Sequence, residues 1–155
     1  ALIMIERTFV AIKPDGVKRG LIGKILERLE NKGYKIIGMK MLKPSVELAH
    51  KHYAEHVGKP FFQRLINYLT SAPIIAMVFE GENAISGIRH IMGSTKPDEA
   101  EPGTIRCDFA IRKEANVIHG SDSPESAKRE IAIWFKDEEL YDWQNIIEIM
   151  KCDNE

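Results

Sequence analysis

Apolar residues recur along this chain in two rhythms, and the alternation between them outlines its elements. Residues 7–13 (RTFVAIK) are β-rich and are followed by Pro14, Asp15 and Gly16, a turn signal. Leu21, Ile22, Ile25, Leu26 and Leu29 then fall on one helical face, and Gly33 ends that run. Residues 34–42 read as a second strand with Gly38 as its weak point. Ser45 is suited to cap a helix running to about His56. Phe61, Phe62, Leu65, Ile66 and Leu69 mark another helix behind Pro60. Residues 74–79 (IIAMVF) are continuously apolar, as a central strand covered on both faces would be. Ala84, Ile85, Ile88, Ile91 and Met92 give a further helix.

The periodicity then stops. Residues 93–106 (GSTKPDEAEPGTIR) carry three turn-prone clusters and little apolar rhythm, and a loop this long inside a compact domain usually serves function. Extended structure is expected to resume at residues 106–111, with a short strand at 116–119 ending before Gly120. Ser123, Pro124 and Glu125 form a strong helix start, and Ile131, Trp134 and Phe135 continue its buried face. Residues 138–150 read as one more helix. The order β-α-β-α-α-β-α-loop-β-α predicts one α+β or α/β domain, a sheet with helices packed on it. With no internal repeat or linker-like stretch, residues 1–155 are expected to form that single domain.

Composition narrows the function classes. Hydrophobic residues make up 44% and charged residues 29%, which suits a folded domain and not a disordered chain. Lys and Arg total 22 against 23 Asp and Glu, a formal net charge of −1. That balance removes the simplest case for a general nucleic-acid binder. No apolar run approaches the roughly 20 residues needed to span a membrane. The opening Ala-Leu-Ile-Met-Ile is too short for a signal-peptide core and lacks a basic flank. Cys107 and Cys152 are the only cysteines and make neither a CxxC pair nor a disulfide framework, so a reducing, cytoplasmic setting is expected.

His119 is the most informative residue for chemistry. It ends an apolar strand, precedes Gly120 and lies just upstream of a capped helix, with Ser121, Asp122 and Ser123 behind it and Glu130 on the following helix. A histidine nucleophile needs one ring nitrogen free while its surroundings orient the ring. An isolated histidine in such a place is more often a satisfied loop residue. His50, His52 and His56 share one helical stretch, but only His52 and His56 are four apart; no third ligand or HExxH pattern accompanies them, so no metal site is expected there. Lys13 ends the first strand, while Arg89 and Arg106 flank the long loop that holds Thr95. Fixed cations with a hydroxyl donor are what a polyphosphate needs, although each cation alone is ordinary surface. Residues 20–24 (GLIGK) superficially suggest a phosphate loop but fail the GxxxxGK[ST] template. Phe61, at a helix start, could stack on a nucleobase or lie in the core with Phe62.

Taken together the pieces resemble the nucleoside diphosphate kinases. The matching stretches are Glu6-Arg7-Thr8-Phe9, Ile12-Lys13-Pro14-Asp15-Gly16-Val17, Arg19-Gly20-Leu21-Ile22-Gly23, His52-Tyr53, Lys59-Pro60-Phe61-Phe62, Met77-Val78, Glu80-Gly81, Asn83-Ala84 and Pro102-Gly103-Thr104-Ile105-Arg106. The decisive one is residues 116–123, NVIHGSDS, and the ordered set runs collinearly from Glu6 to about Phe135.

The resemblance implies a ferredoxin-like βαββαβ sandwich, an antiparallel sheet covered by helices, with a long loop at about 94–115. It implies ping-pong transfer of a γ-phosphoryl group from a nucleoside triphosphate to a diphosphate through a phosphohistidine at His119, with broad base specificity. Lys13 and Arg106 would face the transferred phosphoryl group, and Arg89 and Thr95 the inner phosphates. Asn116 and Lys13 would meet the sugar hydroxyls, and Phe61 would stack on the base. Tyr53 and Glu130 would support the histidine, with Ser121 linking to Glu130. Mg²⁺ would arrive with the nucleotide and be held mainly by its phosphates, Asp122 reaching it only through water. Members of the family assemble as hexamers, sometimes tetramers, so a homo-oligomer is expected.

The chain departs from the family pattern in four places. Cys107 replaces a glycine, Lys113 stands where an apolar residue faces the base, Ala72 replaces a glycine before Pro73, and the tail after Asp142 lacks the usual ending. Two rival readings differ in class: a catalytically silent domain that binds nucleotide or a partner, and a nucleic-acid-binding regulator, which the charge balance disfavours.

Overall fold

The structure is a computed structural model that describes residues 3–154 of the chain, with side chains described as far as Met150; Ala1, Leu2 and the Cys152 thiol lie outside the described residues. Its first strand, β1 (Ile5–Ile12), leads through a short helix α1 (Pro14–Lys18) into helix α2 (Ile22–Asn31). Strand β2 (Lys35–Leu42) is followed by helices α3 (Val46–His52) and α4 (Phe62–Leu69). Strand β3 (Ile74–Glu82) leads into α5 (Ala84–Met92), then α6 (Ile105–Phe109), strand β4 (Ile118–Gly120), α7 (Pro124–Trp134) and α8 (Ile146–Asn154).

The strands form an antiparallel sheet in the order β2-β3-β1-β4. Strand order and crossovers are those of the ferredoxin-like sandwich that the resemblance implies. β1 and β3 occupy the centre, in register from Ile5 opposite Glu82 to Ile12 opposite Ile75. Because side chains alternate along a strand, Val10 and Ile12 feed one core with Ile25, Leu29, Phe79 and Ile88, under α2 and α5. Phe9 and Ala11 feed the other with Ile37, Ile66, Val78 and Trp134, under α3, α4 and α7. The central strands are buried on both faces, which is why residues 74–79 read as one apolar run.

Several elements differ from the sequence expectation, each for a local reason. Pro14-Asp15-Gly16 opens helix α1 and not a bare turn, with Pro at the helix start, where its missing N–H is no loss. The helix expected to reach His56 ends at His52; Tyr53 caps it through its N–H to the Ala49 carbonyl, and residues Ala54–His56 form a 3₁₀ turn. Residues 106–109 are not extended: Thr104 accepts a hydrogen bond from Cys107 N at 3.3 Å and starts α6 there, and the backbone becomes extended only at Ala110. The long segment at 94–115 therefore carries a 3₁₀ turn at Pro97–Glu99 and a helix. Residues 138–150 are not one helix. The Tyr141 amide bonds the Ile37 carbonyl (2.8 Å) and the Trp143 indole bonds the Ile36 carbonyl (3.0 Å), so the tail runs beside β2 before α8 begins. The weak point at Gly38 is a register irregularity between Ile36 and Gly38. A Cβ on Gly38 would lie 2.7 Å from Leu140 Cδ2 and 3.3 Å from the Glu139 carbonyl oxygen, so the tail passes close over this position. Ser45 and Ser123 do cap α3 and α7, through Leu48 N and Ser126 N, each at 3.1 Å.

Candidate active site

Strand β4 is short, and its position is set by what precedes it. Val117 has φ of +64°. A β-branched residue in the left-handed region is strained, and such strain gathers at functional sites. The strain is held from the end of the neighbouring strand β1: Asp15 Oδ2 accepts from Val117 N (3.2 Å) and Lys13 N donates to Val117 O (2.9 Å). Asp15 is itself bonded by the Tyr68 hydroxyl. A Cβ on Gly16 would lie 2.8 Å from Ile12 Cγ2 and 3.0 Å from Val117 O, so the Pro-Asp-Gly segment includes glycine because this backbone passes so close.

This clamp delivers His119 to the rim of a cavity of about 280 Å³. The cavity is lined by Lys13, Tyr53, Arg89, Thr95, Arg106, Asn116, His119, Asp122 and Glu130, all expected from sequence, and also by His52, His56, Arg129 and others that were not. A larger groove of about 770 Å³, lined by Arg28, His90 and Thr104, contains neither His119 nor Lys13. The chemistry therefore belongs to the smaller one.

His119 Nε2 lies 2.5 Å from Glu130 Oε1. Glu130 Oε1 also accepts from Ser121 Oγ (3.2 Å), and Ser121 Oγ in turn accepts from the Phe9 amide (3.3 Å). Ser121 is thus buried behind the site and orients Glu130 without lining the cavity. Burial, reinforced by Lys13, Arg106 and Arg89, pushes His119 down to about 3, so its imidazole is neutral at pH 7. A neutral ring with Nε2–H donating to Glu130 leaves the Nδ1 lone pair available, and Nδ1 makes no hydrogen bond among the described residues. Burial raises Glu130 above its usual carboxylate range.

The cations are fixed by bonds of their own. Lys13 Nζ donates to Asn116 Oδ1 (2.8 Å), and Asn116 Nδ2 donates to Thr95 O (3.1 Å), so strand end, loop and β4 are one linked row. Burial, with Arg106 nearby, lowers Lys13 to about 8. Arg89 Nη1 donates to Gly120 O (3.0 Å). Arg106 is only 5% exposed and donates to three backbone carbonyls: Gly93 (3.2 Å), Asn116 (3.4 Å) and Ile118 (2.7 Å). Of its five N–H groups, two remain for a ligand. Arg106 therefore holds the loop to β4 as well as charging the cavity, a structural part that its sequence position did not reveal. Burial, and then Glu130, push the Tyr53 phenol up to about 12, and its hydroxyl makes no hydrogen bond among the described residues. It stays a free donor at the cavity wall.

Phe61 stands off the cavity lining. It is exposed, its ring edge meets the His56 ring at 5.5 Å, and Lys59 Nζ sits over it at 5.7 Å. Phe62, by contrast, packs against the core. Lys113 sits exposed in the turn closed by the Arg112–Ala115 bridge. Asp122 is an exposed carboxylate that a hydrogen bond from Ser126 holds below its usual range. One ring nitrogen of His52, one of His119 and an oxygen of Glu130 lie within 4.8 Å of one another. Lys13, Arg89, Arg106 and Arg129 line the same cavity and oppose a dication held by those three alone.

What this arrangement can do is accept a phosphoryl group on an oriented imidazole facing fixed positive charge, the equipment of a phosphotransferase. Comparison with known proteins makes the class specific. A family model described as nucleoside diphosphate kinase matches residues 6–140. The nucleoside diphosphate kinase of Methanocaldococcus jannaschii is 61% identical over 139 residues, spanning 90% of this chain and 99% of that protein. The one from Thermosynechococcus vestitus is 56% identical over 139 residues, 90% of this chain and 93% of the relative. Among solved structures, a Halobacterium salinarum nucleoside diphosphate kinase in complex with CDP superposes with a TM-score of 0.91 at 50% identity, covering 95% of this chain and 98% of that one. The chain belongs to the nucleoside diphosphate kinase family.

Proposed function

We propose that this chain passes the γ-phosphoryl group of a nucleoside triphosphate to a nucleoside diphosphate by way of a phosphohistidine at His119 Nδ1. The observation that carries this is the His119–Glu130 contact at 2.5 Å, which engages Nε2 and leaves the other nitrogen free. Nδ1 attacks the γ-phosphorus, the bond from phosphorus to the β,γ-bridging oxygen breaks, and the diphosphate leaves. As the ring gains positive charge, Nε2–H stays bonded to the Glu130 carboxylate, which stabilises it. A second diphosphate then takes the phosphoryl group by the reverse displacement.

The transition state spreads charge over the phosphoryl oxygens, so catalysis is mostly positioning and electrostatic stabilisation. Lys13 and the two spare donors of Arg106 face that charge, with the Tyr53 hydroxyl beside them. Arg89 and Thr95 hold the inner phosphates. Asn116 and Lys13 serve the sugar hydroxyls, and Phe61 offers an exposed face to the base. Stacking without edge readout supports acceptance of many bases.

Mg²⁺ suits this cavity only as part of the nucleotide. The lining is cationic and supplies Asp122 as an exposed carboxylate, which fits an ion held by phosphates with Asp122 reaching it through water. The ion supplies neutralisation of phosphate charge. The completeness of the charged set around His119 favours a working enzyme over a silent binding domain. We also read the chain as one kinase domain that assembles with copies of itself, as a hexamer or tetramer. Met39 and Met41 on the outer strand β2, 55% and 59% exposed, support an assembly surface. No helix among the described residues is long and apolar enough to cross a membrane; the sparse cysteines support a reducing cytoplasm.

The test is a single turnover with γ-labelled ATP and Mg²⁺ and no acceptor. Protein-bound label should be acid-labile and base-stable, absent in His119→Ala, and discharged by GDP. Label that no diphosphate removes would break the acceptor half of the proposal. No label, with nucleotide still bound, would make this a binding domain.

A further inference from the structure

In the sequence, His52 reads only as half of an incomplete metal pair with His56. The fold gives it different company. It is the last residue of α3, is buried, and its Nδ1 accepts a hydrogen bond from the Trp134 indole N–H (3.2 Å). With Nδ1 an acceptor, the neutral ring carries its proton on Nε2, and the ring cannot turn over without breaking that bond. Trp134, the last residue of α7, is itself stacked on Phe9 with centroids 5.6 Å apart and planes at 11°. Phe9 touches both histidine rings, at 6.0 Å from His52 and 5.8 Å from His119. The His52 ring meets the His119 ring at 4.7 Å and 77°, an edge-to-face contact.

His119 is thus held at one nitrogen by Glu130 and against its ring by His52 and Phe9. A single hydrogen bond fixes where Nε2 sits but leaves the imidazole free to rock about that bond. In-line attack requires the Nδ1 lone pair to point along the phosphorus trajectory, so the ring plane matters as much as the ring's place. We propose that His52 is a positioning residue for this reaction: its ring, locked by the Trp134 indole, sets the plane of the His119 imidazole while Glu130 holds Nε2. Burial, then His119, then Lys13 and Arg129, keep His52 well below the usual imidazole range. It therefore packs on the nucleophile without adding a second positive charge that would compete for Glu130.

The proposal rests on His119 being the phosphoryl acceptor, and the experiment keeps the two claims apart. Phosphohistidine formation is followed in single turnovers over a range of ATP·Mg²⁺, giving a maximal rate and a half-saturating concentration, with circular dichroism and thermal melting as checks on folding. His52→Gln keeps an acceptor for the Trp134 indole but removes the ring. It should lower the maximal rate by about 10- to 100-fold, the scale for misplacing a reacting group, with little change in half-saturation. Trp134→Phe keeps the stacking on Phe9 and frees the His52 ring, so it should give a smaller loss of the same kind. His52→Phe restores a ring against His119 and should recover most of the rate lost in His52→Gln. Wild-type rates in folded His52→Gln would overturn the proposal. So would a loss confined to half-saturation, or a folded His52→Phe no faster than His52→Gln. Failure of the wild-type chain to take label would remove the phosphohistidine itself, and the role of His52 with it.

Discussion

Around His119, polar side chains cross large distances in sequence to reach buried partners. Beyond Leu140, the chain makes bonds of similar length to the rim of strand β2. In the pocket, Asp15 holds Val117, Lys13 holds Asn116, and Arg106 alone ties Gly93, Asn116 and Ile118 together. In the tail, Tyr141 and Trp143 bond the Ile37 and Ile36 carbonyls, Asn145 reaches Gly33 O (3.4 Å), and Glu148 pairs with Lys35 (3.0 Å), while Ile146, Ile149 and Met150 remain exposed. The family match also stops at residue 140. Neither hydrogen-bond length nor burial alone separates the two regions, since Lys35 is as buried as Arg106; interdependence does, because Lys35 also pairs with Glu80 (3.1 Å) while the bonds around Arg106 depend on one side chain. Removing one partner from a buried set strands the others without water, whereas an exposed bond exchanges with solvent at small net cost.

That contrast can be tested by graded damage. His119→Ala should abolish phosphoenzyme and turnover while leaving the circular dichroism spectrum intact; retained turnover would remove His119 from the mechanism. Arg106→Ala should slow transfer by about 10²-fold or more, the scale for losing a preorganised charge donor. Because three buried carbonyls lose their donor, it should also destabilise the fold by about 1–3 kcal/mol. A melting temperature equal to wild type would show that those bonds exchange freely, and the pocket would then resemble the tail. Gly16→Ala should cost about 1–3 kcal/mol through overpacking against Ile12 and Val117 O, measured by denaturant unfolding. No change would mean that the clamp on Val117 yields easily. Deleting residues 141–155 should leave turnover unchanged and lower the melting temperature by about 2–4 °C, the shift for ~1 kcal/mol in a domain of this size. Lost activity in that truncation would mean that the tail reaches the site.

The smallest effect expected is an absence of titration. An ordinary imidazole is about 97% protonated at pH 5. His119, held down to about 3 by burial and by Lys13, Arg106 and Arg89, should show no protonation between pH 8 and pH 5 in its NMR resonances. The sign of the linked stability follows. Between about pH 6.5 and pH 3 the unfolded chain binds a proton at this residue and the folded chain does not, so acidification through that window destabilises the fold. A His119 midpoint near 6.5 would mean that water reaches the ring freely.

Local signals read well in the sequence because they are local. Ser45 and Ser123 sit next to the amides they cap, and the continuous apolar run at 74–79 marks a strand covered on both faces wherever it is placed. The NVIHGSDS stretch with its distant partners likewise points to nine of the fifteen residues that line the cavity. Three things were not legible. Residues 106–111 look extended, but the Thr104 cap makes 106–109 a helix. Residues 138–150 have helical composition, but the backbone edge of β2 captures Tyr141 and Trp143 first. His52 reads as half of an incomplete metal pair until Trp134, 82 positions away, bonds its Nδ1.

By itself, the sequence determined the element order at its core, the family and the candidate nucleophile, since these depend on spacing along the chain and on ordered short stretches. Only the tertiary structure decided which ring nitrogen of His119 is engaged, that Arg106 splits its donors between backbone and cavity, that Val117 is held in a strained conformation, and that the His52 ring meets that of His119. Each of those depends on distances between residues far apart in sequence, and folding brings them together by burying apolar surface that is blind to which polar atoms end up as neighbours.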